Sequence, residues 1–148
     1  MTVAAAMLAL AGCGQGDEAS PRPPSPSASS SPGSPALPTP ADGSNLAACR
    51  TGRCEVGVSA SMKIPVPRRL EVDSVQVQSV GTDTVTIVGR YLGDRTGGFC
   101  TGVKCSSAGS GKEFRLTLGP NSTGSANNLS ITAVAINGGV AVLRLGPV

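Results

Sequence analysis

Between Gly14 and Asn45 the chain runs through Pro, Ser and Gly, with Leu37 as almost its only large apolar side chain. A segment of that kind has nothing to bury. Proline fixes φ and removes a backbone donor, while Ser and Gly resist ordering, so the tract is expected to be a disordered, solvated linker biased toward polyproline II. At about 3.1 Å per residue, some 30 residues in that conformation reach on the order of 90 Å, and less when mixed with coil. The Ser/Thr/Pro content permits O-glycosylation, but an unmodified spacer is the simpler expectation. Any packed core must therefore come from residues 46–148, roughly 100 residues, which is one domain of ordinary size.

That remainder alternates in steps of two and shows no sustained 3.6-residue stripe, which predicts an all-β fold. Strands are expected at Glu55–Ser59, Met62–Val66, Leu70–Val80, Thr84–Gly89, Glu113–Leu118, Leu129–Ile136 and Val140–Leu145. The cleanest is Glu113–Leu118, where Phe114, Leu116 and Leu118 share one face and Glu113, Arg115 and Thr117 the other. Val72, Val75, Val77 and Val80 change parity along one strand, so a bulge is expected near Ser74 or Ser79. Pro65 and Pro67 confine their strand to an edge or cut it short. The run Ile136-Asn137-Gly138-Gly139-Val140 predicts a hairpin turned on Asn-Gly, joining a central, well-covered pair of strands. About seven strands with Gly-rich turns imply a small β-sandwich or a partly open barrel. Leu92 to Lys112 is the longest segment expected to be irregular, and loop logic makes it the first candidate for recognition.

Ahead of the tract, Val3 to Ala11 is apolar for about the length of a signal-peptide core and far short of the roughly 20 residues that span a bilayer. The tetrad that follows, Leu10-Ala11-Gly12-Cys13, resembles the bacterial lipobox. The resemblance covers residues 1–13 and implies a bacterial lipoprotein: residues 1–12 are a cleaved signal peptide, and Cys13 becomes a lipidated first residue. Residues 13–45 then form the linker and residues 46–148 the β domain. Leaders of this family carry Lys or Arg before the apolar run; Met1, Thr2 and Val3 carry none, so a start further upstream is expected. Two or three acyl chains, each buried methylene contributing about 0.8 kcal/mol, would hold such a protein firmly to the extracytoplasmic face of the cell membrane.

Four further cysteines stand as Cys49-Arg-Thr-Gly-Arg-Cys54 and Cys100-Thr-Gly-Val-Lys-Cys105. An even number in an exported domain points to disulfides. The repeated spacing favours the local pairs Cys49–Cys54 and Cys100–Cys105, with Gly52 and Gly102 easing the turns, although four cysteines also allow crossed pairings. A zinc site with four cysteine ligands is the competing reading, disfavoured by the spacing and the oxidising compartment. Redox catalysis would need two residues between the cysteines rather than four.

Composition narrows the chemistry further, because the chain has no His, no Trp, one Tyr and two Phe. Nucleophile pairs that depend on His are excluded, as is any His-ligated metal. So few rings leave no stacking platform for single-stranded nucleic acid or sugars. We therefore expect no catalytic residue, no metal, no cofactor and no nucleic-acid partner. Residues 46–148 carry eleven Lys and Arg against six Asp and Glu, a surplus that suits anionic surfaces without naming one. Lys63, Arg68 and Arg69 form the one basic cluster, a candidate contact for an anionic polymer. Glu71 and Asp73 would share a strand face about 7 Å apart, a separation that acid–base carboxylates can use, but a solvated face explains them more simply. Gly109-Ser110-Gly111-Lys112-Glu113 lacks the first Gly of a phosphate loop and has Glu where a magnesium-holding hydroxyl belongs. The expected function is thus a non-catalytic binding or structural module of the cell envelope, whose partner is an envelope protein or wall polymer besides the membrane lipid on Cys13. The alternatives are an accessory sensor or secretion factor for a membrane protein and, less favoured, a His-independent hydrolase.

Overall fold

The computed structural model describes residues 36–148, so the expected signal peptide, Cys13 and most of the expected linker lie outside the described residues. A short 3₁₀ helix at Leu46–Thr51 precedes ten strands: β1 (Cys54–Ser59), β2 (Lys63–Ile64), β3 (Val72–Val80), β4 (Val85–Tyr91), β5 (Cys100–Thr101), β6 (Cys105–Ser110), β7 (Glu113–Leu118), β8 (Ser122–Ala126), β9 (Leu129–Asn137) and β10 (Val140–Pro147). A second 3₁₀ turn at Arg68–Leu70 leads into β3. The strands form two five-stranded sheets, ordered β1-β10-β9-β8-β5 and β2-β3-β4-β7-β6, with every pairing antiparallel. The fold is all-β, a sandwich of two open sheets rather than a barrel.

Alternation decides which faces meet. In β7, Phe114, Leu116 and Leu118 are buried while Glu113 and Arg115 are exposed, as the two-residue period requires. Val56 and Val58 of β1, Ile131 of β9 and Leu143 of β10 join them in one continuous core. The sheets pack closely where β8 meets β7: a Cβ at Gly124 would stand 3.0 Å from both methyls of Leu116. Truncating a fully buried leucine such as Leu118 in a core this tight costs about 2–5 kcal/mol.

The valine pattern of β3 appears as two register shifts against β4, one between Val72 and Ser74 and one between Val77 and Ser79. Each extra residue resets parity, so Val72, Val75 and Val77 all reach the core despite their spacing. Prolines stop β2 after two residues, and it lies at a sheet edge. The pair β9–β10 is central to its sheet. Its turn sits one residue later than Asn-Gly predicted: Asn137 pairs with Val140, and Gly138 and Gly139 take φ +58° and +78°. Two adjacent glycines supply both positive φ values, and Asn137 finishes the strand.

Three strands depart from the seven expected. β5 and β6 lie inside the Leu92–Lys112 segment, and β8 lies just after β7. Small and polar residues compose β6 and β8, so no apolar alternation marks them; backbone pairing to β7 and β9 creates them. Ordered packing also begins upstream of Leu46. Asp42 N donates to the Glu55 carbonyl at 2.9 Å, the Asp42 carboxylate accepts from Glu55 N at 2.9 Å, and Gly57 N donates to the Gly43 carbonyl at 2.8 Å. Residues 42–43 thereby cover the free edge of β1, which would otherwise offer its donors and acceptors to another chain.

Candidate functional site

The outward face of the β2-β3-β4-β7-β6 sheet carries an open groove of about 1040 Å³. Its floor follows from register. Lys63 pairs with Gln76, Gln76 with Val88, Val88 with Arg115 and Arg115 with Ala108, which lays one row across all five strands. The next row is Ser74, Arg90, Glu113 and Ser110. Arg115 and Arg90 are diagonal neighbours on adjacent strands, a relation that places Cβ atoms roughly 7–8 Å apart. Arg50, from the 3₁₀ helix at Leu46–Thr51, and Pro65 and Val66, after β2, flank the rows.

Four cations therefore line the groove: Arg50, Lys63, Arg90 and Arg115, all exposed. Two carboxylates, Asp73 and Glu113, share it. The ion pairs among the described residues join Arg95 to Glu71, Lys104 to Asp83, Lys112 to Asp94 and Arg144 to Glu55, and so leave all four groove cations unpaired. Even Arg90 and Glu113, opposite each other in the register, make no bridge. Gln76, Gln78, Ser74 and Ser110 add neutral donors and acceptors between the charges.

The structure divides the basic cluster expected at Lys63, Arg68 and Arg69. Lys63 lines the groove. The Arg69 guanidinium instead donates to the Thr51 carbonyl and lies over Gly52, whose missing Cβ makes room for it. It closes the first cysteine loop and does not line the groove. Arg68 is exposed and lies outside the groove lining. Arg90 and Arg115 take their places. Arg115 was legible as a water-facing residue of its strand, but its nearness to Arg90 depends on β4 and β7 being neighbours, a pairing that skips β5 and β6.

Glu71 and Asp73 do not form a dyad. Glu71 is not in β3: it caps the Arg68–Leu70 turn with φ +57°, and its Oε1 pairs with Arg95 at 3.5 Å. Its Oε2 is buried without a partner. Asp73 lies in the groove, beyond the turn and beside the first register shift of β3. The segment Gly109–Glu113 is the β6–β7 hairpin, its turn opened by Gly111 at φ +57°, with no helix behind it to receive a phosphate.

The four cysteines lie in two bonded pairs, Cys49–Cys54 and Cys100–Cys105, with Cα separations of 4.9 Å and 5.6 Å. Both fall in the usual range for a disulfide. The second loop carries Val103, which is fully exposed and outside the groove lining. Beneath the groove floor Tyr91 packs on Phe114 with ring centroids 5.2 Å apart, and burial raises its phenol above the ordinary value. Compared with known protein families, curated proteins and solved structures, the chain finds no match.

Proposed function

We propose that this chain is a non-catalytic binding module of a bacterial cell envelope. A lipid on Cys13 holds it to the extracytoplasmic face of the membrane, and the Pro/Ser tract sets the β-sandwich away from that surface. There it engages a wall polymer or an envelope protein. The observation that carries the binding role is the groove on the second sheet: four cations that make no ion pair among the described residues, on one solvent-open face. An exposed cation without an ion pair adds little to the fold, and several on one open face suit an anionic partner. The sequence Leu10-Ala11-Gly12-Cys13 supports the location.

The anchor is tested by a Cys13→Ser change in cells. The expected result is movement of the protein from the membrane pellet to the soluble or secreted fraction. An unchanged partition would remove the lipid anchor from this reading. Crosslinking in intact cells followed by mass spectrometry tests the binding role, with wall material or one recurrent envelope protein expected to be joined to residues of the second sheet.

A further inference from the structure

We infer that the groove on the second sheet takes a linear acidic polysaccharide, one whose sugars carry carboxylates. The inference rests on the binding-module reading but does not depend on the lipid anchor.

Three features select this ligand class. The first is shape: the row from Lys63 to Ala108 crosses every strand of a five-stranded sheet, and the row from Ser74 to Ser110 beside it crosses four. Neighbouring strands stand roughly 4.8 Å apart, so the groove is about 19 Å long and open. An extended chain fits it better than a compact metabolite, which needs enclosing walls. The second is charge. Arg90 and Arg115 stand near the β7 side and Lys63 and Arg50 near the β2 side, so positive charge recurs at two places along the groove. Guanidinium groups bind a carboxylate through two parallel hydrogen bonds, and both central cations are arginines.

The third feature separates acidic sugars from polyphosphates. Asp73 and Glu113 lie among the cations. A polyphosphate has a charge on every unit and no alcohol hydroxyl between them, so it would set only negative groups against these carboxylates, at a cost that grows with each unit. A polysaccharide presents hydroxyls between its acids, and hydroxyls donate to carboxylates. The Gln76 and Gln78 amides and the Ser74 and Ser110 hydroxyls extend the same pattern, since each can donate or accept. Recognition is then electrostatic and hydrogen-bonded, as a domain with so few aromatic rings requires.

The test titrates the full chain carrying Cys13→Ser, so that no lipid contributes, with a short oligogalacturonate, a neutral oligosaccharide of equal length and linear polyphosphate. Binding to the oligogalacturonate alone is expected, weakening as ionic strength rises from about 0.05 M to about 0.2 M. Arg90→Gln together with Arg115→Gln should weaken it about tenfold or more, Arg90→Lys with Arg115→Lys by less, and Arg68→Gln, outside the groove, not at all. All these residues are exposed, and circular dichroism of each variant checks that the fold is kept. Equal binding of the neutral sugar, preference for polyphosphate, or full affinity in the double Gln variant would each overturn the assignment. Failure of the sugar titration with a Cys13-dependent membrane partition removes the ligand and leaves the anchor; the opposite pattern removes the anchor and leaves the ligand.

Discussion

The two cysteine loops close over the same separation of five residues, yet they sit in different environments. Cys49 is 1% exposed and Cys54 7%, and both belong to the core that Val56 and Leu143 share. Cys100 and Cys105 are only half-buried, and their loop carries Val103 into solvent. The first loop joins the 3₁₀ helix at Leu46–Thr51 to β1; the second joins two strands of different sheets, β5 and β6. Equal spacing thus encodes equal chain closure, while surroundings decide how much packing each bridge contributes.

The largest effect follows directly. Closing a loop of this length limits the unfolded chain by about 2 kcal/mol in either case. Cys100→Ala with Cys105→Ala should cost about that much. Cys49→Ala with Cys54→Ala should cost about 4 kcal/mol, because it also leaves a gap in the core. Urea unfolding of the two double variants measures both. Equal losses, or a larger loss for the exposed pair, would break the contrast between a packed bridge and a purely topological one.

The glycines inside the loops invert that order. Gly52 has φ +85°, and a Cβ there would meet the end of the Arg69 side chain at 2.6 Å, an obstacle that can swing aside. Gly102 has φ +116°, and a Cβ would meet the Cα of the fully buried Ser122 at 2.8 Å, an obstacle that cannot. Gly52→Ala should therefore cost about 1–2 kcal/mol, the ordinary penalty for a side chain in left-handed backbone. Gly102→Ala should cost about 3 kcal/mol, since overpacking adds to the backbone term. Thermal melts of the two variants decide it. A milder effect at Gly102 would mean that its loop lifts freely from β8.

The same two loops show what the sequence could and could not reveal. Local pairing followed from spacing, and the strand Glu113–Leu118 and most of the strand expected at Leu70–Val80 followed from the apolar pattern, because both signals are written in neighbouring residues; Leu70 and Glu71 instead belong to the turn before β3. That one bridge is core and the other is not depends on which strands lie beside them. Cys105-Ser-Ser-Ala-Gly-Ser110 has no apolar face, and its strand exists only because β7 offers a ladder. Ser122–Ala126 needs small residues because Gly124 rests on Leu116, a distance between sheets that no periodicity records. The groove was half legible for the same reason. Lys63 drew notice through the adjacent Arg68 and Arg69, whereas Arg90 and Arg115 are 25 positions apart and meet only through register.

The smallest predicted effect concerns the polar ties that hold the loops from outside. Arg69 reaches the Thr51 carbonyl and its guanidinium lies over Gly52, so Arg69→Ala removes a charge-assisted hydrogen bond, about 1 kcal/mol. Lys104 instead meets Asp83 across open solvent, with the two side chains 53% and 55% exposed. Such a pair gains little Coulomb energy in water and gives up side-chain entropy to form, so Lys104→Gln should cost less than about 0.5 kcal/mol. Gln keeps the backbone bond from Gly119 N to the residue 104 carbonyl, which makes the substitution a test of charge alone. Added salt should leave the Arg69→Ala difference in melting temperature in place and erase the Lys104→Gln difference. If Lys104→Gln destabilises as much as Arg69→Ala, the second loop is held by its charge, and the division between a packed loop and a surface loop fails at its weakest contact.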